Sequence, residues 1–220
     1  MEKTKAIIFD AYGTLFNVNS AAEKCKSKIG NKWESFANFW RTTQLEYTWL
    51  RSLMGRHKDF WQITEDSLEK SMNVFKIDQS MKNELLDLYK ILSPYEEVKD
   101  VLLKLKKKDY KLAVLSNGTP DLLNLLIKNS KFDNFFDDLF SIEQVKIYKP
   151  HFKVYELPVN KYKIKPEEII FLSANTWDVS GGGNFGYYSV WVNRNKSQFD
   201  VLDYKPKKEV ANLSQLLDIV

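Results

Sequence analysis

The chain contains 220 residues, of which 44% are hydrophobic and 14% aromatic, and its 33 basic and 29 acidic residues leave a formal net charge of +4. This composition supports a packed core and excludes global disorder. A net charge this small argues against the concentrated positive surface of a nucleic-acid-binding protein. Cys25 is the only cysteine, which excludes a disulfide framework, and the two histidines, His57 and His151, argue against a zinc site.

The apolar runs of the chain are short. None approaches the roughly 18 residues of a membrane-spanning helix. The apolar stretch near the N-terminus is too short for a secretory signal. We therefore expect a cytoplasmic globular protein with neither a membrane nor a nucleic acid as its partner.

The first predicted strand covers residues 6–9 (AIIF), and a polar turn with Asp10 and Gly13 follows it. A continuous apolar run of this length is typical of a strand that is buried on both faces of a parallel sheet. An aspartate at the end of such a strand is costly to bury unless it serves as a nucleophile, a metal ligand or a structural cap. The residues alone leave these three roles open.

The next interval, residues 17–96, has no strand pattern. It contains helical patterns instead, such as Leu45, Trp49 and Leu53 at four-residue spacing. We interpret the interval as a helical insertion above the carboxyl end of the sheet, where open α/β folds bind their ligands.

The second half of the chain contains three more predicted strands, at residues 112–115 (LAVL), 169–172 (IIFL) and 189–192 (SVWV). Thr119 and Pro120 predict the start of a helix, as an N-cap followed by a first-turn proline. The lysine-rich residues 104–111 are interpreted as the solvated end of a helix.

Strands that alternate with helices predict an α/β fold with right-handed crossovers. The expected architecture is a Rossmann-like parallel sheet core with an inserted helical cap subdomain. Its predicted boundaries are residues 1–16 and 97–220 for the core and residues 17–96 for the cap.

Four short motifs give the chain a recognisable pattern. They are residues 9–15 (FDAYGTL), 115–118 (LSNG), 149–150 (KP) and 173–178 (SANTWD). Their order resembles that of the haloacid dehalogenase superfamily. Residues 40–54 (WRTTQLEYTWLRSLM) resemble the cap helix of one branch, the type II L-2-haloacid dehalogenases, and the resemblance extends over nearly the whole chain.

The branch matters because phosphatases of this superfamily carry a second aspartate two residues after the first, where this chain has Tyr12. Asp10 and Asp178 alone would also be thin coordination for Mg²⁺. Halide departure needs neither a general acid nor a metal. The resemblance therefore implies hydrolysis of small L-2-haloalkanoic acids to D-2-hydroxy acids and halide, through an ester on Asp10 and without a cofactor or metal.

The resemblance also assigns the site. It gives catalytic roles to Asp10, Thr14, Arg41, Lys149, Ser173, Asn175 and Asp178. It gives substrate-binding roles to Ala11, Tyr12, Arg41, Leu45, Phe60, Ser116, Asn117, Tyr155 and Trp177.

Individual roles follow the family. Asp10 is the nucleophile, Lys149 neutralises it, and Ser116 with the backbone N–H groups after Asp10 holds the substrate carboxylate. Arg41, Asn117 and Trp177 receive the halide. Asp178 activates water, which Thr14, Ser173 and Asn175 position, while Tyr155 hydrogen-bonds near Lys149. Tyr12, Leu45, Phe60 and Trp177 form apolar walls.

Simpler interpretations of single residues stay open. Arg41 could be a surface residue of a helix, Trp177 a core residue and Lys149 an exposed loop lysine. Ser116 and Asn117 could only end a strand and cap the next helix.

Two other functions also stay open. The first is a Mg²⁺-dependent phosphatase of the same superfamily. The second is a catalytically silent module that binds an anion.

Two further expectations concern assembly and mobility. The resemblance implies a homodimer, with the aromatic-rich residues 33–61 either at that interface or in the core of the cap. The glycines at 181–183 are expected to make the loop that carries Asp178 mobile, because each glycine costs a helix interior about 0.8–1.0 kcal/mol relative to alanine.

Overall fold

A six-stranded parallel sheet forms the centre of the computed structural model, which describes residues 4–220. The spatial order of its strands is β3-β2-β1-β4-β5-β6. The strands are β1 (Ala6–Phe9), β2 (Lys111–Ser116), β3 (Asp138–Ser141), β4 (Ile169–Ser173), β5 (Tyr188–Val192) and β6 (Lys208–Val210). Helices flank the sheet, so the predicted α/β class is confirmed.

The three central strands are in register. Phe9 of β1 lies opposite Val114 of β2 and Leu172 of β4. The polar residues at the carboxyl ends of these strands, Asp10, Ser116 and Ser173, therefore meet at one edge of the sheet.

Two strands, β3 and β6, were missed by the sequence prediction. Both lie at the edges of the sheet, and β6 consists of Lys208, Glu209 and Val210, of which the first two are exposed. Short, charged edge strands avoid pairing with other chains. For the same reason they lack the apolar run that marks a buried strand.

Five helices lie between β1 and the rest of the core and form the cap. They are α1 (Ser20–Lys24), α2 (Lys26–Ile29), α3 (Trp33–Leu53), α4 (Phe60–Phe75) and α5 (Lys82–Tyr89). The two segments that connect the cap to the core run side by side. Asn17 N–H donates to Ser93 O at 2.9 Å, and Tyr95 N–H donates to Leu15 O at 3.0 Å.

The long helix α3 buries a different face from the one its leucines suggest. Its buried residues include Phe36, Trp40 and Gln44. Leu53 is 85% exposed. Trp49 and Leu53 line a cleft and Leu45 is half-buried, so this stripe does not form the core of the cap.

The core contains four more helices, α6 (Val98–Leu105), α7 (Pro120–Asn129), α8 (Phe152–Tyr162) and α9 (Thr176–Phe185). Thr119 caps α7 as predicted, since its Oγ1 accepts a hydrogen bond from Leu122 N–H at 3.3 Å. The lysines that follow α6 are exposed, also as predicted. Within residues 4–220, no helix has the length and apolar character that a membrane crossing requires.

Candidate active site

A buried lysine joins two buried carboxylates at the carboxyl edge of the sheet. Lys149 Nζ lies 3.2 Å from Asp10 Oδ1 and 2.9 Å from Asp178 Oδ2. The side chains of Lys149 and Asp178 are completely buried and that of Asp10 nearly so. Buried charges require such partners, since an unpaired one would be prohibitively costly.

The two oxygens of Asp10 have different surroundings. Among the residues that the structure describes, Oδ1 accepts from Lys149 alone. Oδ2 accepts from Thr14 Oγ1 at 2.9 Å, Asn175 Nδ2 at 2.9 Å and Ser173 Oγ at 3.4 Å. The carboxylate is therefore held in one orientation, and Oδ2 carries most of the donors.

The turn after Asp10 brings Thr14 back toward it. Gly13 has a φ of +91°, a conformation that side chains disfavour. Thr14 Oγ1 donates to Asp10 and accepts from Ala174 N–H at 2.8 Å, which ties the turn to the loop after β4. Ala11, directly after Asp10, is fully buried.

Asp178 lies in the first turn of α9. Its Oδ1 accepts a hydrogen bond of 2.7 Å from the hydroxyl of Tyr155. Burial raises the pKa of the Asp178 carboxyl above its usual range, and the charge of Lys149 opposes that rise only in part. A carboxylate with a raised pKa is a better proton acceptor.

The structure corrects one expectation about this part of the chain. Asp178 belongs to helix α9 itself and is not carried by a loop. Tyr155 is fully buried and its hydroxyl bonds to Asp178, the carboxylate that Lys149 also contacts, in keeping with a hydrogen bond near Lys149.

The glycines of α9 allow close packing around this carboxylate. A Cβ at Gly181 would lie 2.5 Å from Tyr155 Oη, and one at Gly182 would lie 2.7 Å from Phe171 Cδ1. One at Gly183 would overlap the ring of Tyr204, at 1.9 Å from Cζ. At each position a side chain would overlap its neighbours, so the glycines permit close packing. The expectation of a mobile loop did not include this role.

Lys149 is also fixed through its backbone. Its N–H donates to Asn117 Oδ1 at 3.1 Å, and its carbonyl accepts from Trp49 Nε1 of the cap at 3.2 Å. The interpretation of Lys149 as an exposed loop residue is therefore wrong.

Ser116 and Asn117 end strand β2 close to this centre. Ser116 Oγ accepts from Gly118 N–H at 3.1 Å, while Asn117 supports Lys149. The cap of α7 is Thr119, so neither residue serves as that cap.

The cap contributes Arg41, on α3. Its Nη1 donates to Gln44 Oε1 at 2.9 Å, and its Nη2 lies 3.5 Å from the carbonyl oxygen of Tyr12. Within residues 4–220, no carboxylate lies within 4 Å of its guanidinium. The positive charge of Arg41 is therefore held by neutral acceptors.

The side chain of Tyr12 is buried between aromatic rings. Its ring centroid lies 5.0 Å from that of Phe60 and 5.9 Å from that of Tyr89. Burial raises the pKa of the Tyr12 phenol well above its ordinary value. Tyr12 therefore does not take the place of the acidic second aspartate of the phosphatases.

A cleft of about 420 Å³ between cap and core lies beside this centre and is bordered by Trp49, Lys149 and Trp177. The rings of Trp49 and Trp177 meet edge to face, with centroids 5.4 Å apart. Trp177 and Leu45 are half-buried, so Trp177 is not a core residue.

The residues around Asp10 therefore come from four separate parts of the chain. The predicted list omitted Gln44 and Trp49, which contact Arg41 and Lys149. The position of Gln44, three residues after Arg41 on one helix, was the available signal.

Comparisons with known proteins agree with this fold. A family model described as haloacid dehalogenase-like hydrolase matches residues 4–186. The chain belongs to the haloacid dehalogenase-like hydrolase family, and it is a hydrolase.

Three similar proteins carry more particular names. An (S)-2-haloacid dehalogenase of Pseudomonas fluorescens is 38% identical over 98% of this chain and 96% of its own length. A crystal structure of a dehalogenase is 35% identical, with a TM-score of 0.98 over 100% of this chain and 98% of the other. The L-2-haloacid dehalogenase of Xanthobacter autotrophicus with covalently bound chloropropionic acid is 31% identical, with a TM-score of 0.91 over 98% of each chain.

Proposed function

We propose that this protein hydrolyses small L-2-haloalkanoic acids to D-2-hydroxy acids and halide. The observation that carries the proposal is the Asp10 carboxylate, oriented by four donors and facing a cap that supplies the cation Arg41. The relatives named above support the same reaction. All site residues expected from the sequence remain part of the proposal, with Tyr155 acting on Asp178.

The first step is an in-line displacement. An oxygen of Asp10 attacks C2, the carbon–halogen bond breaks with its electron pair, and halide leaves without a proton. Oδ1, which accepts from Lys149 only, is the oxygen that remains available for attack. The step inverts C2 and produces an ester on Asp10.

Charge is the main obstacle to this step. Two like charges roughly 4 Å apart repel by about 4 kcal/mol at an effective dielectric near 20. Lys149 offsets the charge of Asp10, and Ser116 with the N–H groups after Asp10 holds the substrate carboxylate. Arg41, Asn117 and the edge of Trp177 receive the halide as it forms.

The second step hydrolyses the ester at the carbonyl carbon of Asp10, so C2 is not touched again. Asp178 accepts a proton from the attacking water, which Thr14, Ser173 and Asn175 position. The same three side chains donate to Oδ2 and stabilise the negative charge on that oxygen in the tetrahedral intermediate. The bond between Cγ and Oδ1 then breaks, and the departing alkoxide takes up the proton from Asp178. The product is a D-2-hydroxy acid.

The assembly is also part of the proposal. We propose a cytoplasmic homodimer in which residues 17–96 form the cap and residues 1–16 and 97–220 the core. Phe36, Trp40 and Phe60 are buried within the chain, which leaves exposed Leu50 and Leu53 of α3 as the apolar contribution to such an interface. Light scattering of the purified protein measures its mass in solution.

The function is tested with both enantiomers of 2-chloropropionate in the presence of EDTA. We expect chloride and D-lactate from the L enantiomer only. A folded protein that releases no chloride would contradict the proposal. Mg²⁺-dependent phosphate release from p-nitrophenyl phosphate would instead support the phosphatase, and binding of the haloacid without turnover would support a silent module.

A further inference from the structure

The buried side-chain amide of Gln44 lies next to Arg41, the cation that the cap contributes. Gln44 is 1% exposed, and its Oε1 accepts the 2.9 Å hydrogen bond from Arg41 Nη1. Its Nε2 donates to Thr64 Oγ1 at 2.7 Å and to the hydroxyl of Tyr89 at 3.0 Å. The amide therefore connects Arg41 to α4 and α5.

The orientation of this amide is determined by its neighbours. Thr64 has one hydroxyl proton and donates it to the carbonyl of Phe60, at 2.7 Å, because a carbonyl can only accept. Thr64 Oγ1 must then accept from Gln44. The nitrogen of the amide faces Thr64, so its oxygen faces Arg41.

The chemistry of the acceptor matters as much as its position. The core centre contains Asp10 and Asp178 as anions and Lys149 as a cation, so it is one negative charge in excess. Arg41 compensates that excess from the cap only because its own acceptors are uncharged. A carboxylate at position 44 would keep the hydrogen bond and cancel the charge.

We infer that Gln44 is a positioning residue that orients Arg41 while leaving its positive charge available to the departing halide. The inference rests on the proposed function, in which Arg41 receives that halide. It predicts that the neutrality of residue 44 determines the rate of ester formation.

The test compares Gln44→Glu and Gln44→Met with the wild-type protein. Single-turnover halide release from L-2-chloropropionate measures ester formation, and inhibition by bromide measures halide affinity. Removing one preorganised donor at such a site costs about 10²–10³-fold. We expect at least about a 100-fold loss with Gln44→Glu, about a 10-fold loss with Gln44→Met, and weaker bromide inhibition in the Glu variant.

The order of the two variants separates this role from a structural one. Glu retains the contact with Arg41, whereas Met loses every hydrogen bond of the amide. A residue that only stabilised the cap would therefore make Gln44→Met the more damaged variant, in step with its thermal unfolding temperature. Gln79→Glu is the matched control, because Gln79 is exposed in the cap and donates only to Asn73, at 3.2 Å.

The outcomes distinguish the inference about Gln44 from the proposed function on which it rests. If the wild-type protein and Gln79→Glu release chloride and Gln44→Glu is at least as active as Gln44→Met, the inference about Gln44 is overturned and the function stands. If the folded wild-type protein releases no halide, both are overturned.

Discussion

The two sides of the site hold their charges in opposite ways. On the core side, Lys149 bridges two carboxylates, and hydrogen bonds from Thr14 and Tyr155 complete the cluster. On the cap side, Arg41 is held by an amide and a backbone carbonyl.

This difference between core and cap corresponds to two different roles in the site. In the proposed mechanism, the core cluster holds the nucleophile Asp10 and the base Asp178 in a buried place, where each charge depends on the others for stability. Within residues 4–220, no carboxylate lies close enough to the cap cation Arg41 to neutralise it, so its charge is available to an anionic ligand. We therefore expect changes in the core cluster to affect both folding and catalysis, and changes at Arg41 to affect catalysis almost alone.

The largest effect is expected from Asp10→Asn. Loss of a nucleophile lowers turnover on the scale of about 10⁶-fold, and the variant should still fold because Lys149 keeps its contact with Asp178. Chloride release and circular dichroism check the two halves of this prediction. Retained turnover would place the nucleophile elsewhere.

Lys149→Met should show that folding and catalysis are coupled in the core cluster. It leaves Asp10 and Asp178 buried without their cation, which we expect to lower the free energy of unfolding by about 3–5 kcal/mol and turnover by about 10³-fold. Urea unfolding and chloride release measure the two losses.

The loss of stability in this variant should depend on pH. Without Lys149, whose charge opposes the effect of burial, the pKa of the Asp178 carboxyl is raised further, so the loss is largest above that pKa and shrinks as the pH falls and the carboxyl takes up a proton. The control is Lys153→Met, since Lys153 is exposed. Equal stability of the two variants would show that the cluster does not stabilise the fold.

Arg41→Met should separate catalysis from stability. We expect turnover to fall by about 10²-fold and the free energy of unfolding to change by less than about 1 kcal/mol, because only neutral acceptors lose a partner. Chloride release and urea unfolding are measured as for Lys149→Met. A stability loss as large as that of Lys149→Met would remove the distinction between core and cap.

The smallest expected effect is the pH dependence of ester hydrolysis by the wild-type protein. Burial raises the pKa of Asp178 to about 6. Below that pH the base is protonated, so ester hydrolysis should slow by about tenfold per pH unit, while ester formation by Asp10 continues. Intact-protein mass spectrometry should then detect accumulated ester at pH 5 and none at pH 8.

The same raised pKa has a consequence for stability. Asp178 binds its proton more tightly in the folded than in the unfolded chain, so its contribution is complete below the ordinary carboxyl pKa and is lost as the pH rises through about 6. Asp178→Asn should remove that dependence. Urea unfolding of both proteins between pH 4 and pH 8 checks this, and an unchanged slope would contradict it.

Much of the fold could be predicted because buried strands leave continuous apolar runs. Strands β1, β2, β4 and β5 were found in this way. The edge strands β3 and β6 could not be, since they are only four and three residues long and begin with charged residues that are not buried. The stripe of Leu45, Trp49 and Leu53 was found, but its side of α3 borders a cleft that no local pattern reveals.

The sequence by itself determined which polar residues lie at the carboxyl ends of the buried strands, and parallel pairing then brings Asp10, Ser116 and Ser173 to one edge. Tertiary structure alone decided which charges meet. Lys149 is 139 residues from Asp10 and 29 from Asp178 in the chain. Gln44, an ordinary helix residue in the sequence, became the neutral partner of Arg41 because packing against α4 and α5 buried its amide and determined its orientation.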